Sequence, residues 1–409
     1  MKQSLNKHTL FNFILLCPIF LVISIVVSQR VDARKQDFAA WWQAGHMVLK
    51  GQNIYDTTQW AVVRESEGTA LHSESTFQYP LPLAILFSLI AWLPVQTAYT
   101  LWIFFGLIAT LTSIMILLGF YPARSGYLEL VTIAGIFMYR PILGVIQNGQ
   151  IVSHLLLSLS ISICLFHHDK WFLGGLVLSL LILKPSLGLP LLLLAGLWLL
   201  SRKRWNGICG MIVGGLGLLL LGVLIDFRWI IAYISSTSHL FDKYYGMHPT
   251  IWGVVDKIFQ INNLSLIIGF ACAVLILAVE AYFFWQKRSE VDVFPAFATI
   301  VPAALLMALY LWNHDQLLLA VSIVFSLINV SETYGIGKAA MFMIGVVGLA
   351  VAMVAFAYRV GNDVGSVMNS LVLWLLSLYF ATRSIDFRTG PKVVNQNDDK
   401  IEKVVINQG

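Results

Sequence analysis

Apolar residues fall into twelve blocks along the chain, at about 9–28, 96–119, 128–144, 150–167, 171–184, 187–200, 207–225, 263–285, 293–312, 315–330, 339–358 and 366–382. Polar or basic residues separate them. A helix needs about 20 apolar residues to cross a bilayer, and several of these blocks are shorter. A further run, "LPLAILFSLIAWLP" at 81–94, is bounded by prolines. It reads either as a re-entrant segment or as a thirteenth crossing. The pattern shows no heptad, short repeat or low-complexity linker. It predicts an all-α polytopic membrane protein of about 12 transmembrane helices. A single transmembrane domain would cover 1–382, and a polar cytoplasmic tail 383–409.

The N-terminus carries Lys2 and Lys7 before "LFNFILLCPIFLVISIVVS", the outline of a signal peptide. The apolar stretch is longer than a signal core, and no small-x-small site follows cleanly. A retained first span is therefore predicted.

Past that span, the first outer loop (29–80) holds "QDFAAWWQAGHMVLKGQNIYD" at 36–56. Phe38, Trp41, Trp42, Gly45, Val48 and Leu49 recur at three- and four-residue spacing, one apolar face of a helix. Tryptophan favours the headgroup level. The stretch 38–50 is thus predicted as an amphipathic helix lying in the outer interface, ended by Gly51, with a second short helix at about 58–66. Asp37 stands just before the first helix. It reads as an N-cap, a carboxylate aimed into a cavity, or both. Asp56 in "NIYDTTQW" reads as a turn or cap for the next helix.

Composition sharpens the class. Of 409 residues, 58% are hydrophobic and 11% charged, with mean hydropathy +0.79. A soluble domain carries about 25% charge. The net charge of +5 is spread over loops, which points to topology and away from nucleic acid. Cys17, Cys164, Cys209 and Cys272 all lie in apolar runs without a CxxC pair, as buried small hydrophobes. The compact clusters "SRKRW" (201–205) and "QKR" (286–288) set orientation, because short loops obey the positive-inside rule best. With 81–94 not crossing, loop 29–80, "QNGQ" (147–150), "KPS" (184–186), loop 226–262 and "WNHD" (312–315) all fall on the outer face. A crossing at 81–94 would flip everything after it.

Lys184 in "LILKPSLGLP" sits beside a helix-breaking proline inside an apolar run, where a charge is costly. It reads equally as a lysine snorkelling at a span end or as a cation that meets an anionic lipid group. His314 and Asp315 lie between two spans; the histidine is either structural or a donor to a phosphate. Gln147, Asn148 and Gln150 make a polar turn with Gly149, fit to bind sugar hydroxyls or to satisfy a helix end. Arg140 and Arg359 stand at span ends, as snorkelling residues or cations of a site. "FDKYYGMHP" (241–249) mixes aromatic and basic residues, in the manner of a substrate lid. Sequons stand at Asn263 and Asn329. The chain has no GxxxxGK[ST], HExxH or G-x-S-x-G signature, and no cytoplasmic loop long enough for a nucleotide-sugar domain. Chemistry must therefore act on a substrate already at the membrane.

The ordered set "QDFAAWWQAGHMVLKGQNIYD", "FQYPLPLAILF", "NGQIVSHLLLSLSI", "LILKPSLGLPLLLL", "SRKRW" and "LWNHDQ", from about residue 10 to 320, resembles glycosyltransferase family 87. These are polyprenyl-phosphate-dependent enzymes of the GT-C fold. Their best-known members are the mycobacterial mannosyltransferases of phosphatidylinositol mannoside synthesis. The family's "YPP" is "YPL" (79–81) here. The resemblance implies a hexosyltransferase, mannose foremost, that uses a polyprenyl-phosphate donor and a lipid or glycan acceptor at the outer face of a bacterial inner membrane. It assigns Asp37 as general base and places His314 by the donor phosphate, with Lys184 and Arg140 as further phosphate-binding candidates. Sugar or acceptor contacts fall to Gln147, Asn148, Gln150, Asp56, Trp41 and Tyr79. A single acid in that first loop implies no obligatory metal and no cofactor. A transporter or flippase of lipid-linked sugars is the rival reading, suited by broken helices at "KPS" and "QNGQ". A non-catalytic membrane scaffold is a third.

Overall fold

The computed structural model describes residues 7–69, 77–121, 125–244, 248–259, 262–287 and 291–383. The proposed tail therefore lies outside the described residues, apart from Arg383. Among those described, the structure is helical throughout. In order come α1 (Lys7–Arg30), α2 (Asp37–Leu49), α3 (Thr57–Glu67), α4 (Leu81–Ser88), α5 (Val95–Leu118), α6 (Gly126–Met138), α7 (Pro141–Asn148), α8 (Val152–His167) and α9 (Trp171–Leu178). Next are α10 (Pro185–Ser201), α11 (Trp205–Ile225), α12 (Trp229–Tyr244), α13 (Ile251–Phe259), α14 (Asn262–Gln286), α15 (Val293–Met307), α16 (Ala320–Tyr334), α17 (Ile336–Val360) and α18 (Val367–Thr382).

A helix meets each of the twelve apolar blocks. Six are long and apolar enough to cross a membrane, and the pair α6–α7, bent by 58°, makes up to seven. The remaining blocks form shorter apolar helices, 14–30, 152–167, 171–183, 185–201 and 293–307. Residues 14–30 belong to the 24-residue helix α1; for the others length explains the shortfall: at 1.5 Å per residue, a 15-residue helix spans about 22 Å, less than the roughly 30 Å hydrocarbon core.

The run 81–94 does not carry the chain to the other end of the bundle. Its helix α4 has 8 residues and ends in turns. The Gln96 side chain, at the start of α5, accepts from the Ala33 N–H at 3.1 Å and donates to the Ser28 and Val31 carbonyls at the end of α1. Everything between therefore returns to one end, called here the near end. The Tyr99 hydroxyl donates to the Gln147 carbonyl at 2.6 Å, and the Trp102 indole N–H to the Gly149 carbonyl at 2.8 Å, which brings α7 back to the same place. At the far end, the Phe120 and His167 rings lie 4.9 Å apart, His167 is 3.8 Å from Asp292, and Arg204 stacks on Trp171 at 4.3 Å. The basic cluster 201–205 thus shares the far end with Val291, whose carbonyl accepts from the Arg202 guanidinium, and with Asp292. The polar segments assigned to the outer face share the near one.

Helix α16 is buried over nearly its whole length and forms the bundle axis with α15, α8 and α10. Phe297 packs on Phe166 at 5.9 Å and on Trp198 at 5.6 Å. Helices α11, α14 and α17 are peripheral and leave apolar side chains exposed, as lipid-facing helices do. The buried Glu280 pins α14 inward: its carboxylate accepts from Thr299 Oγ1 of α15 at 3.1 Å and from Trp374 Nε1 of α18 at 2.6 Å.

Two expectations need correction. Helix α2 does not lie half-immersed in the interface. Phe38, Ala39, Trp41, Trp42, Gln43, Ala44, Gly45 and Met47 are buried, so protein covers it on most sides. Its small residues admit α4, and the Trp42 indole N–H donates to the Leu93 carbonyl at 3.0 Å. Second, segment 226–262 contains two helices, α12 and α13, where a loop was expected. The sequon Asn329 is buried in α16 and donates its own amide to the Phe325 carbonyl at 2.8 Å, so it offers no accessible acceptor. The side chains of Asn263 and of 241–247 lie outside the described residues, and with them most of "FDKYYGMHP".

Candidate active site

Four separate segments meet at the near end. The first is the start of α2. Its cap residue is Gln36, which makes no side-chain cap bond, and Asp37 is the first helical residue. Asp37 therefore does not act as the N-cap. Its Oδ2 instead accepts from Gln150 Nε2 at 2.6 Å, across 113 residues of sequence. Asp37 is exposed, so a substrate can reach its carboxylate.

Gln150 follows the C-terminus of α7, where Gly149 adopts a left-handed conformation at φ 65°. A glycine is needed there: a Cβ would meet Phe38 Cβ at 2.8 Å and Tyr99 Cε2 at 3.0 Å. The turn buries Gln150 and aims its amide at both neighbours. While Nε2 donates to Asp37, Oε1 accepts from Lys184 Nζ at 3.4 Å.

Lys184 is held by a helix break. Helix α9 unwinds into a 3-10 turn over Ser179–Leu183, Lys184 itself is non-helical (φ −125°, ψ 83°), and α10 begins at Pro185. Proline at the first helical position cannot continue the preceding turn, so the lysine stem points into the bundle. Lys184 is 2% exposed and does not snorkel. Its Nζ donates to Asp315 Oδ1 at 2.5 Å. An ammonium has three N–H groups, and two are used here.

The last segment is the 3-10 turn Asn313–Leu319. Asp315 is fully buried, and its second oxygen accepts from the Trp312 backbone N–H at 2.9 Å. His314 is also buried, with Nε2 3.6 Å from Asp315 Oδ1. Helix α7 passes over it closely: a Cβ on Gly144 would stand 3.1 Å from His314 Cβ. The result is a line of contacts, Asp37 to Gln150 to Lys184 to Asp315, with His314 beside its buried end.

Tyr79 flanks this line. Burial, together with Tyr310 and the Asp37 and Asp315 carboxylates, pushes its phenol well above the ordinary value. Tyr79 therefore stays protonated as a hydrogen-bond donor. Trp41 packs edge-on against it, ring centroids 5.5 Å apart, and Tyr55 Oη donates to the Tyr79 carbonyl at 2.7 Å.

The other expected residues stand apart. Asp56 caps α3, accepting from the Thr58 and Gln59 N–H groups at 2.9 Å each, which accounts for it as a cap. The Gln147 side chain is exposed, and Asn148 ends α7 half-buried. Arg140 sits at the α6–α7 bend, one helical turn before Gly144. It faces Asp363: burial raises that carboxyl above its usual range, and the Arg140 charge opposes the rise. Sequence reasoning named Asp315 but gave it no role. The cue was an acid next to His314 in "WNHD" that could balance the buried lysine.

No curated protein and no solved structure matches the chain. A family model does: glycosyltransferase family 87, over residues 77–331, more than half of the sequence. That match contains Tyr79, Arg140, Gln150, Lys184, His314 and Asp315; Asp37 precedes it. With the match spanning most of the residues that converge at the near end, this helical membrane-type bundle is a glycosyltransferase and the chain belongs to family 87.

Proposed function

We propose that this glycosyltransferase moves a hexose, mannose foremost, from a polyprenyl-phosphate donor to a lipid or glycan acceptor. The near end faces outward from a bacterial inner membrane, and the twelve apolar helices form a GT-C-type bundle. The observation that carries this reading is the contact line from the reachable carboxylate of Asp37 to the buried ammonium of Lys184.

The acceptor hydroxyl attacks the anomeric carbon as the bond from that carbon to the phosphate oxygen breaks. The proton passes to Asp37, and the bonding pair leaves on the polyprenyl phosphate. The displacement inverts the anomeric centre. Base catalysis of this kind contributes about 10²–10⁴-fold. The third Lys184 N–H meets the developing phosphate charge in a site with little water, where fixed charge counts most. Asp315 keeps that ammonium in place, and Gln150 couples its position to that of the base. Tyr79, backed by the buried Trp41, forms the wall on which the sugar rests.

The test is turnover. Purified protein with polyprenyl-phosphate mannose and a panel of acceptors releases polyprenyl phosphate, and Asp37→Asn lowers that release by about 10²–10⁴-fold in a protein that stays folded. Movement of the sugar lipid without cleavage would overturn the reading. Full turnover in Asp37→Asn would remove the base assignment.

A further inference from the structure

We infer that Gln316 is a positioning residue for the transfer: it docks the Asn313–Leu319 turn onto the start of α18 and so fixes where Asp315 holds the Lys184 ammonium. The effect on catalysis rests on the role proposed above for Lys184.

The turn is a three-way junction. A 3-10 helix has three residues per turn, so successive side chains point about 120° apart. His314, Asp315 and Gln316 leave it in three directions, and each meets a different neighbour. His314 lies under α7 at Gly144, Asp315 pairs with Lys184 just before α10, and Gln316 reaches α18. Gln316 is fully buried. Its Nε2 donates to the Ser366 carbonyl at 2.7 Å, and its Oε1 accepts from Asn369 Nδ2 at 2.9 Å. Both halves of the amide are thus spent on one helix start: Ser366 directly precedes α18, and Asn369 stands in its first turn.

A buried polar group whose partner is removed pays its full desolvation cost, which exceeds the net worth of the bond. The Gln316 amide therefore keeps the turn against α18. Asp315, the residue before it, gives one oxygen to Lys184 Nζ and the other to the Trp312 N–H, so the ammonium follows wherever the turn is held. Ser366 also ends the 3-10 turn Val364–Ser366 between α17 and α18. Asp363, just before that turn, feels the Arg140 charge at the α6–α7 bend. The family match stops at residue 331, within α16, so both groups that hold Gln316 lie beyond it. The start of α18 accordingly supports the site, although it touches no reacting atom.

Three variants test this. Gln316→Met keeps the length of the side chain and removes both bonds. Trp374→Phe is the control on the same helix: it breaks the buried contact to Glu280 and leaves the turn alone. A displacement of about 1 Å at a reacting group costs on the order of 10²-fold in rate, so Gln316→Met lowers kcat by about 10–100-fold while KM stays within about twofold. Trp374→Phe, with a comparable loss of melting temperature, keeps the native kcat. Gln316→Glu separates positioning from folding. Its protonated carboxyl restores both bonds, donating to the Ser366 carbonyl and accepting from Asn369. Once ionised, it has no proton to donate and sets a second negative charge beside Asp315. Its turnover, taken relative to the native enzyme at each pH, is therefore highest at the acid end and falls as pH rises. Native kcat in Gln316→Met, a change confined to KM, an equal loss of kcat in Trp374→Phe, or a Gln316→Glu enzyme no more active than Gln316→Met at any pH would each overturn the proposal. Hydrogen exchange gives a readout that needs no donor. Peptides over 312–319 exchange faster in Gln316→Met than in Trp374→Phe, and equal rates overturn the docking. A native enzyme that cleaves no polyprenyl donor while its variants show this difference refutes the donor class and leaves the docking of the turn standing.

Discussion

Lys184 and Asp315 show what a single residue contributes here. Both are removed from water, and a buried ion pair survives only when each charge is matched and bonded. Lys184→Met leaves Asp315 as an uncompensated buried carboxylate, a cost of about 3–5 kcal/mol. The melting temperature in detergent is expected to fall sharply. Adding Asp315→Asn removes the stranded charge and keeps the acceptor for the Trp312 N–H, so the double variant recovers most of the lost stability. Turnover stays lost in both, because the phosphate-facing ammonium is gone. A Lys184→Met protein as stable as the native one would mean that the pair is not buried as described. The residue scale was half legible in the sequence. Lys184 stood out because a charge inside an apolar run needs a reason, and Asp37 and His314 through the family resemblance. Their partners did not stand out: Asp315 lies 131 residues from Lys184, and no local spacing links them.

At the scale of elements, periodicity placed α2 and α3 within a residue or two but misjudged how α2 is buried. The apolar stripe was read as the one buried face. Gly45, counted in that stripe, passes there as merely apolar, although it is what lets α4 approach. Gly45 is the tightest point: a Cβ there would stand 2.7 Å from the Phe87 carbonyl carbon and the Ser88 nitrogen, both backbone atoms that cannot swing away. Gly45→Ala is expected to cost about 1–3 kcal/mol by overpacking. It also lowers turnover, because α2 carries Asp37 at its first turn. Wild-type melting temperature and rate in that variant would refute the close approach. A second element-level effect depends on pH. His248 donates its Nδ1–H to the Leu311 carbonyl at 2.8 Å and ties the segment before α13 to the turn before Asp315. Burial lowers its pKa, while the Leu311 carbonyl and the Asp315 charge oppose the shift. The folded state thus holds His248 neutral where the unfolded chain binds a proton. Its contribution is complete above the ordinary histidine value and declines as pH falls through that value toward the lowered one. Thermal inactivation should accelerate across that acid window, and His248→Gln should flatten the dependence.

For the whole molecule, the alternation of the chain between two ends matters more than the exact count of crossings. The apolar blocks were read directly from hydropathy. The parity was not, because a proline-bounded run such as 81–94 has the composition of a crossing and the length of a turn. Gln96 settles which it is, by joining the end of α1 to the start of α5. That one side chain fixes the side of every later loop relative to Asp37. The same logic gives a test of orientation in the membrane. After replacement of Cys17, Cys164, Cys209 and Cys272, single cysteines are placed at exposed positions of the two ends. Asn53→Cys and Arg228→Cys report the near end; Lys203→Cys and Lys338→Cys report the far end. The far end holds the compact basic loops that the positive-inside rule retains in the cytoplasm. A membrane-impermeant maleimide added to intact cells should therefore modify positions 53 and 228 at once, and 203 and 338 only after permeabilisation. The reverse pattern would put Asp37 and Lys184 on the cytoplasmic side and exclude an outward-facing reaction. Labelling of 53 and 203 from one side would break the alternation itself, and with it the convergence of α2, α7, α10 and the 313–319 turn on one site.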